Sequence, residues 1–354
     1  PKRARLPRGI CSRNYAVTGG WFPRITCYFL NTSSPMITRP FKQVDVFTSK
    51  PYFGNPLAVV LDGTGLSDAE MQRFAAWTNL SETTFVLPPT PEAAAAGADY
   101  QVRIFTTAYE MPFAGHPTLG TCHAWLENGG VPKDQARIVQ QCKVGLVAIQ
   151  RAQHEGGRLA FAAPALQRKE PSEALWQALP GALGLTPQQL LAAQHLNNGP
   201  QHFGVLLDSV DAVLAVQANL ASLQALMAQH GFSGLGVAAR YDTATSAPLI
   251  ARSNREARAF GARADAAPAE AEPDLEVRFF FDRGDGIGED PITGSFNASL
   301  SQWLIAEGHV PSTYVAAQGT CIGREGRVHI AQDATGQVWV GGDVSTCVDG
   351  TVRL

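Results

Sequence analysis

The 354-residue chain is long enough for two lobes of ordinary domain size, each with its own core. With 45% hydrophobic and 17% charged residues, 34 glycines and 23 prolines, it reads as a globular chain rich in strands and turns, not a disordered or fibrous one. A formal net charge of −3 and a pI near 6.3 provide no basic field for nucleic acid and no polybasic face for a membrane, and no apolar run approaches the roughly 20 residues that span a bilayer. A small-molecule partner and a cytoplasmic location are therefore expected. The six cysteines, at 11, 27, 122, 142, 321 and 347, form no CxxC pair, which fits a reducing compartment.

Residues 1–35 carry Lys2, Arg3, Arg5, Arg8, Arg13 and Arg24, while the first acidic residue of the chain is Asp45. The bias is that of a transit peptide, but Met36 directly precedes the first strand-like pattern. The segment is read as a non-globular extension or a mis-assigned start. From Phe41 the chain alternates (FKQVDVFT, 41–48), turns at Phe53-Gly54-Asn55-Pro56 and continues as LAVVLD (57–62), a hairpin or a pair of adjacent strands. LSDAEMQRFAAWTN (66–79) opens with Ser67 and Glu70 as a capping box and places Met71, Phe74 and Ala75 on one helical face. A strand at SETTFVLP (81–88), an Ala/Gly/Pro-rich loop at 89–98 and a strand at YQVRIFT (100–106) follow. A helix is predicted over 117–127, with Pro117 at its first position, Leu119, Cys122 and Leu126 on one face, and Asn128-Gly129-Gly130 as its stop. The Ala-, Glu- and Pro-rich stretch at about 241–275 has too few large apolar residues to pack and reads as a mobile excursion.

The two halves echo one another. Val102-Arg103-Ile104-Phe105 precedes Ala114-Gly115-His116-Pro117 and a helix ending Leu126-Glu127-Asn128-Gly129; Val277-Arg278-Phe279-Phe280 precedes Thr293-Gly294-Ser295-Phe296 and a helix ending Ile305-Ala306-Glu307-Gly308. The organisation expected is an N-terminal lobe at 36–155, which 345–354 is a candidate to complete, and a C-terminal lobe at 156–344. Each echoed turn leads a strand through a glycine into a helix whose first N–H groups lack intrahelical partners. Two such ends facing each other form an anion site that needs no lysine or arginine, and a carboxylated ligand suits it.

Plainer readings compete at each position: turn glycines for Gly115 and Gly294, a satisfied loop histidine for His116, an N-cap for Ser295, a turn aspartate for Asp290 and an exposed strand-edge residue for Glu82. Repetition of the turn favours a site for the two glycines. Glu82 is the only charge between Asn79 and Pro89, and burial would raise its pKa into the range of a general acid and base. The glycines at 284, 286 and 288 are spaced GxGxG and followed by Glu289 and Asp290, which would oppose a pyrophosphate. His116, Cys122 and His123 match no metal pattern, and no Gly-x-Ser-x-Gly surrounds Ser295, so neither a metal nor a hydrolase elbow is expected.

From Phe41 to Leu354 the chain resembles the PhzF-like phenazine-biosynthesis proteins, through VFTSKPYFGNPLAVVLD, NLSETTFVLP, RIFTTAYEMPFAGHPTLG, RFFFDRGDGIGEDPITGS and VWVGGDVSTCVDGT. The resemblance implies the α+β, diaminopimelate epimerase-like fold: two pseudo-symmetric lobes, each a β-barrel-like sheet around a central helix, with the site between them. It places the proton-shuttling glutamate of the SETTF motif at Glu82, beside Ser81, the histidine of AGHP at His116, the aspartate of EDPxTGS at Asp290 and the serine of TGS at Ser295. The epimerases' two thiols would fall at Ala114 and Thr293, which cannot act as thiolates, and Cys122 reads as a packing residue. Phe296 stands where alanine is usual and is expected to narrow the pocket.

The function expected is thus a cofactor-independent isomerase. Glu82, His116 and Asp290 carry the proton chemistry, and Ser81, Gly115, Gly294 and Ser295 hold a small carboxylate. The family resemblance further implies a homodimer. The alternatives are an epimerase-type carbon-acid enzyme and a non-catalytic member that binds a metabolite or a protein.

Overall fold

A computed structural model describes residues 36–151, 157–241, 272–283 and 286–354. The extension at 1–35, most of the excursion at 241–275 and part of the GxGxG turn lie outside the described residues.

The first run of strands is β1 (Thr38–Val46), β2 (Asn55–Val60), β3 (Thr83–Leu87), β4 (Tyr100–Phe105), β5 (Glu110–Met111), β6 (Arg137–Cys142), β7 (Gly145–Arg151) and β8 (Leu159–Ala162). After β9 (Gln167–Lys169) comes a second run: β10 (Leu190–Asn197), β11 (Gln201–Leu207), β12 (Gly234–Arg240), β13 (Leu275–Asp282), β14 (Ile287–Glu289), β15 (Thr313–Gln318), β16 (Gly326–Gln332) and β17 (Val338–Gly342). The two runs pair identically. β1–β2 is antiparallel, β2–β3 parallel, β3–β4 and β4–β5 antiparallel, β4–β6 parallel and β6–β7 antiparallel. β10 to β16 repeat this order of directions step for step. The echo of VRIF and VRFF is therefore an echo of topology, since these segments are β4 and β13. β8 pairs with β17 and joins the runs, while β18 (Val344–Arg353) lies antiparallel along β1.

Each run wraps one buried helix, α3 (Gly115–Glu127) in the first and α7 (Gly294–Ala306) in the second. Every residue from Gly115 to Cys122, and from Phe296 to Ser301, is buried. Helices buried on all sides have sheet around them, so the sequence face of Leu119, Cys122 and Leu126 is too narrow, and Leu126 is only half-buried. α3 begins at Gly115, two residues before the predicted start. Pro117 is tolerated there because a first-turn N–H has no helical partner to lose.

Between β2 and β3, α1 (Asp68–Thr78) has the predicted Ser67–Glu70 capping box and buries Met71, Phe74 and Ala75 against Phe85 and Phe105. The stretch 89–98 is not a plain loop: Thr90 caps the N–H of Ala93, Pro91 presets the first turn, and a short helix α2 (Pro91–Ala95) forms. In the second run α4 (Glu173–Leu183), α5 (Val210–Ala215) and α6 (Leu220–His230) cover the outer face of the sheet through Leu175, Leu179, Phe203 and Leu235. No helix among the described residues is long and apolar enough to cross a membrane.

Candidate active site

The N-termini of α3 and α7 abut. A methyl group on Gly115 would sit 2.8 Å from the ring of Phe161 and 3.1 Å from the carbonyl carbon of Gly294. One on Gly294 would sit 3.1 Å from Phe47 and 3.2 Å from both Gly115 Cα and His116 N. Only glycine permits this approach, because any larger residue forces the helix heads apart. Ala114 and Thr293 occupy the two N-cap positions and neither side chain caps its helix, so the first-turn N–H groups remain directed outward and both positive dipole ends converge.

Glu82 enters this junction from the α1–β3 connection. Asn79 ends α1 in the left-handed conformation (φ 57°), Thr78 and Thr83 hydroxyls meet at 2.9 Å, and Thr83 is then fixed in the sheet between Ala58 and Phe105. The carboxyl one residue before Thr83 is thereby held inward. Burial pushes it up to about 7; a hydrogen bond from Ser81 opposes the rise and the facing Asp290 carboxylate adds to it.

His116, on the first turn of α3, places Nε2 3.3 Å from Glu82 Oε2. Burial lowers the imidazole to about 3, so the ring is neutral and the contact is not an ion pair. Its alignment also falls short of a hydrogen bond. Both atoms are enclosed and without a hydrogen-bond partner among the described residues.

Asp290 lies opposite, held on both oxygens. Thr293 Oγ1 donates to Oδ2 at 2.6 Å and Asn55 Nδ2 donates to Oδ1 at 3.1 Å. Burial nonetheless raises it to about 6. Gln318, at the end of β15, completes the web: its Oε1 accepts from Thr293 N (3.1 Å) and Asn297 Nδ2 (2.8 Å), and its Nε2 donates to Thr293 Oγ1 (3.0 Å). Ser295 is half-buried on the same turn, and its carbonyl accepts from Asn198 Nδ2 at 2.9 Å.

The structure thus brings Glu82, His116, Asp290, Gly115 and Gly294 together, with Ser81 on Glu82 and Ser295 on the α7 turn. One expectation changes. Phe296 does not narrow this junction: it is fully buried in the core, 4.8 Å ring to ring from Phe279, in space left by Gly236. Asn55, Gln318 and Asn198 belong to the site although sequence reasoning misses them, and Thr293, notable in the sequence only for lacking a thiol, holds Asp290. Cys122 is a packing residue; burial pushes its thiol up to about 12.

A duplicated sheet-and-helix fold with buried titratable side chains where the two central helices meet is of the diaminopimelate epimerase-like class. The family model described as phenazine biosynthesis-like protein (PhzC-PhzF) matches residues 44–350, and the chain belongs to this family, which is of isomerase type. The chain is 30% identical over 326 residues to Antisense-enhancing sequence 1 of Schizosaccharomyces pombe, covering 89% of this chain and 99% of that protein. It is 36% identical over 201 residues to trans-2,3-dihydro-3-hydroxyanthranilate isomerase of Pseudomonas fluorescens, covering 54% of this chain and 66% of that one. The crystal structure of a PhzF-family phenazine biosynthesis protein of Bacillus anthracis superposes with a TM-score of 0.71 at 24% identity, over 90% of this chain and 100% of the other, and shares the fold.

Proposed function

We propose that the protein is a cofactor-independent isomerase that moves a proton between carbons of a small carboxylated substrate, with Glu82 as both base and acid. The observation that carries this reading is the buried Glu82 carboxyl, raised to about 7 beside the neutral His116 where two helix N-termini meet. Near neutrality both its forms are populated, which general acid–base catalysis needs. The ionised carboxylate takes a proton from a substrate carbon, and the electron pair left behind delocalises into the conjugated system. Protonated Glu82 returns the same proton to another carbon of that anion, with no net change in oxidation state. The substrate carboxylate is held by the outward N–H groups at Gly115, His116, Gly294 and Ser295, where the converging dipoles also favour the developing charge.

Epimerisation by two bases is less well supported. Ala114 and Thr293 supply no thiol at the helix heads, and Asp290, the second buried carboxyl, is already bound on both oxygens. The Pseudomonas fluorescens relative suggests a cyclic, unsaturated, hydroxylated amino carboxylate as the first substrate class to try. Incubation with trans-2,3-dihydro-3-hydroxyanthranilate in deuterated water tests the reading. Wild-type protein should turn it over, and Glu82→Gln should lose about 10²–10⁴-fold. Undiminished turnover by that variant would overturn the assignment.

A further inference from the structure

We infer that Asn55 is a positioning residue that fixes the tautomer of His116, placing the ring proton on Nε2, the nitrogen turned toward Glu82. Asn55 opens β2, paired with Val46 of β1, and is buried. Its amide nitrogen lies 2.9 Å from the carbonyl oxygen of Ile292 and 3.1 Å from Asp290 Oδ1. A carbonyl can only accept. Asp290 Oδ2 accepts from Thr293, whose own oxygen is occupied by the Gln318 amide, and Oδ1 is the remaining acceptor. Turning the Asn55 amide over would set its oxygen against two oxygens, so the group facing them is the NH2.

The third neighbour of that NH2 is His116 Nδ1, at 3.4 Å. An NH2 group offers only protons, so Nδ1 must present a lone pair. The single proton of a neutral imidazole then resides on Nε2. The distance is long because two N–H bonds are shared among three acceptors.

The consequence for the reaction rests on the reading of Glu82 as acid and base. With Nε2–H 3.3 Å from Glu82 Oε2 but not aligned with it, the ring keeps a free donor on that side for the charge that develops on a bound substrate. The other tautomer would turn a lone pair toward the carboxylate and take the ring proton away from that side. Asn55 reaches Asp290 and Ile292 in the second run while touching His116 in the first, so the tautomer is set by the closed arrangement of both helix heads and not by α3 alone.

Histidine-selective 15N labelling with long-range 1H–15N correlation at neutral pH reads this directly, with the His116 signals assigned by their loss in His116→Gln. Wild-type protein should show the Nε2–H pattern. Asn55→Asp, which puts an acceptor beside Nδ1, and Asn55→Ala should shift His116 to the Nδ1–H form or a mixture, with folding checked by circular dichroism. An Nδ1–H pattern in the wild type, or an unchanged pattern in either folded variant, overturns the inference. If neither variant folds, the wild-type spectrum decides alone. Because the readout is the ring and not turnover, a failed isomerase assay with an Nε2–H ring would reject the proposed function and leave the tautomer standing.

Discussion

His116 Nε2 and Glu82 Oε2 lie 3.3 Å apart, each enclosed and neither hydrogen-bonded to any other described group. Two polar atoms left in this state are costly unless a substrate uses them, and their protonation sets when they can act. As the proposed base Glu82 must be ionised to act, and burial raises it to about 7. The value of kcat/KM should therefore rise with pH through about 7 and level off above it. His116, lowered to about 3, should add no limb in that range. A pH–rate profile with the dihydrohydroxyanthranilate checks this, and a flat profile from pH 5 to 8 would count against Glu82 as the base. Because Asp290 faces Glu82, the apparent value belongs to the pair.

The same burial should make Glu82 a liability for stability at neutral pH. Unfolded, it titrates near 4.5; folded, near 7. Between these values the folded state holds a proton that the unfolded chain has lost. Stability therefore falls as pH rises from about 4.5 through 7, and the full penalty, up to about 3 kcal/mol, persists above. Asp290, raised to about 6, acts in the same direction. Glu82→Gln should raise the Tm at about pH 8 and change it little at about pH 4.5, even as activity is lost. Equal shifts at both pH values would refute the linkage.

Thr293 should matter through its hydroxyl. Thr293→Val removes the 2.6 Å donor from Asp290 and leaves Gln318 Nε2 without that acceptor. A lost hydrogen bond to a charged, buried carboxylate is worth about 1.5–3 kcal/mol, so kcat should fall roughly 10- to 100-fold. Asp290 should titrate still higher. Thr293→Ser, which keeps the donor, should recover most of the rate; equal loss in both variants would point to packing by the methyl group.

The junction of α3 and α7 predicts opposite outcomes for two glycine-to-alanine changes. Gly115→Ala places a methyl 2.8 Å from Phe161 and 3.1 Å from Gly294. Overpacking of this kind costs about 1–3 kcal/mol and parts the helix heads, so turnover should fall with stability. Gly181, exposed in α4, has open space where a methyl would go and no left-handed backbone, and Gly181→Ala should stabilise by about 0.5–1 kcal/mol without affecting turnover. Denaturant melts of the two variants separate the effects.

The helix heads and Glu82 are legible in the sequence because their signals are local: a glycine before a helix, repeated, and one charge in an uncharged segment. The repeat is legible too, because β4 and β13 carry nearly the same four residues. Asn55 and Gln318 are not, since nothing near either residue marks a role. Asn55 reads as one residue of a turn, and it meets Asp290 only after both runs of strands close. Gln318 reads as the polar end of a strand. Phe296 misleads for a related reason. Adjacency to Ser295 in sequence suggests adjacency in the site, but one helical residue turns the side chain by about 100° and carries it from the junction into the core.

Phe296 therefore makes a prediction against the sequence expectation. Its ring fills the space over Gly236, where an added methyl would fall 2.2 Å from two ring carbons, and it tilts against Phe279 with His202 at its edge. Phe296→Ala should cost about 3–5 kcal/mol in stability, as removal of a buried aromatic does, yet leave the ratio of kcat/KM values among related carboxylates unchanged. Gly236→Ala should also destabilise, because strand β12 cannot move away from its pairing with β11 and β13. Combining the two should cost less than the sum of the single changes, since the new methyl enters the cavity left by the ring. If Phe296→Ala instead broadened the range of carboxylates accepted without loss of stability, the residue would have to line the site after all.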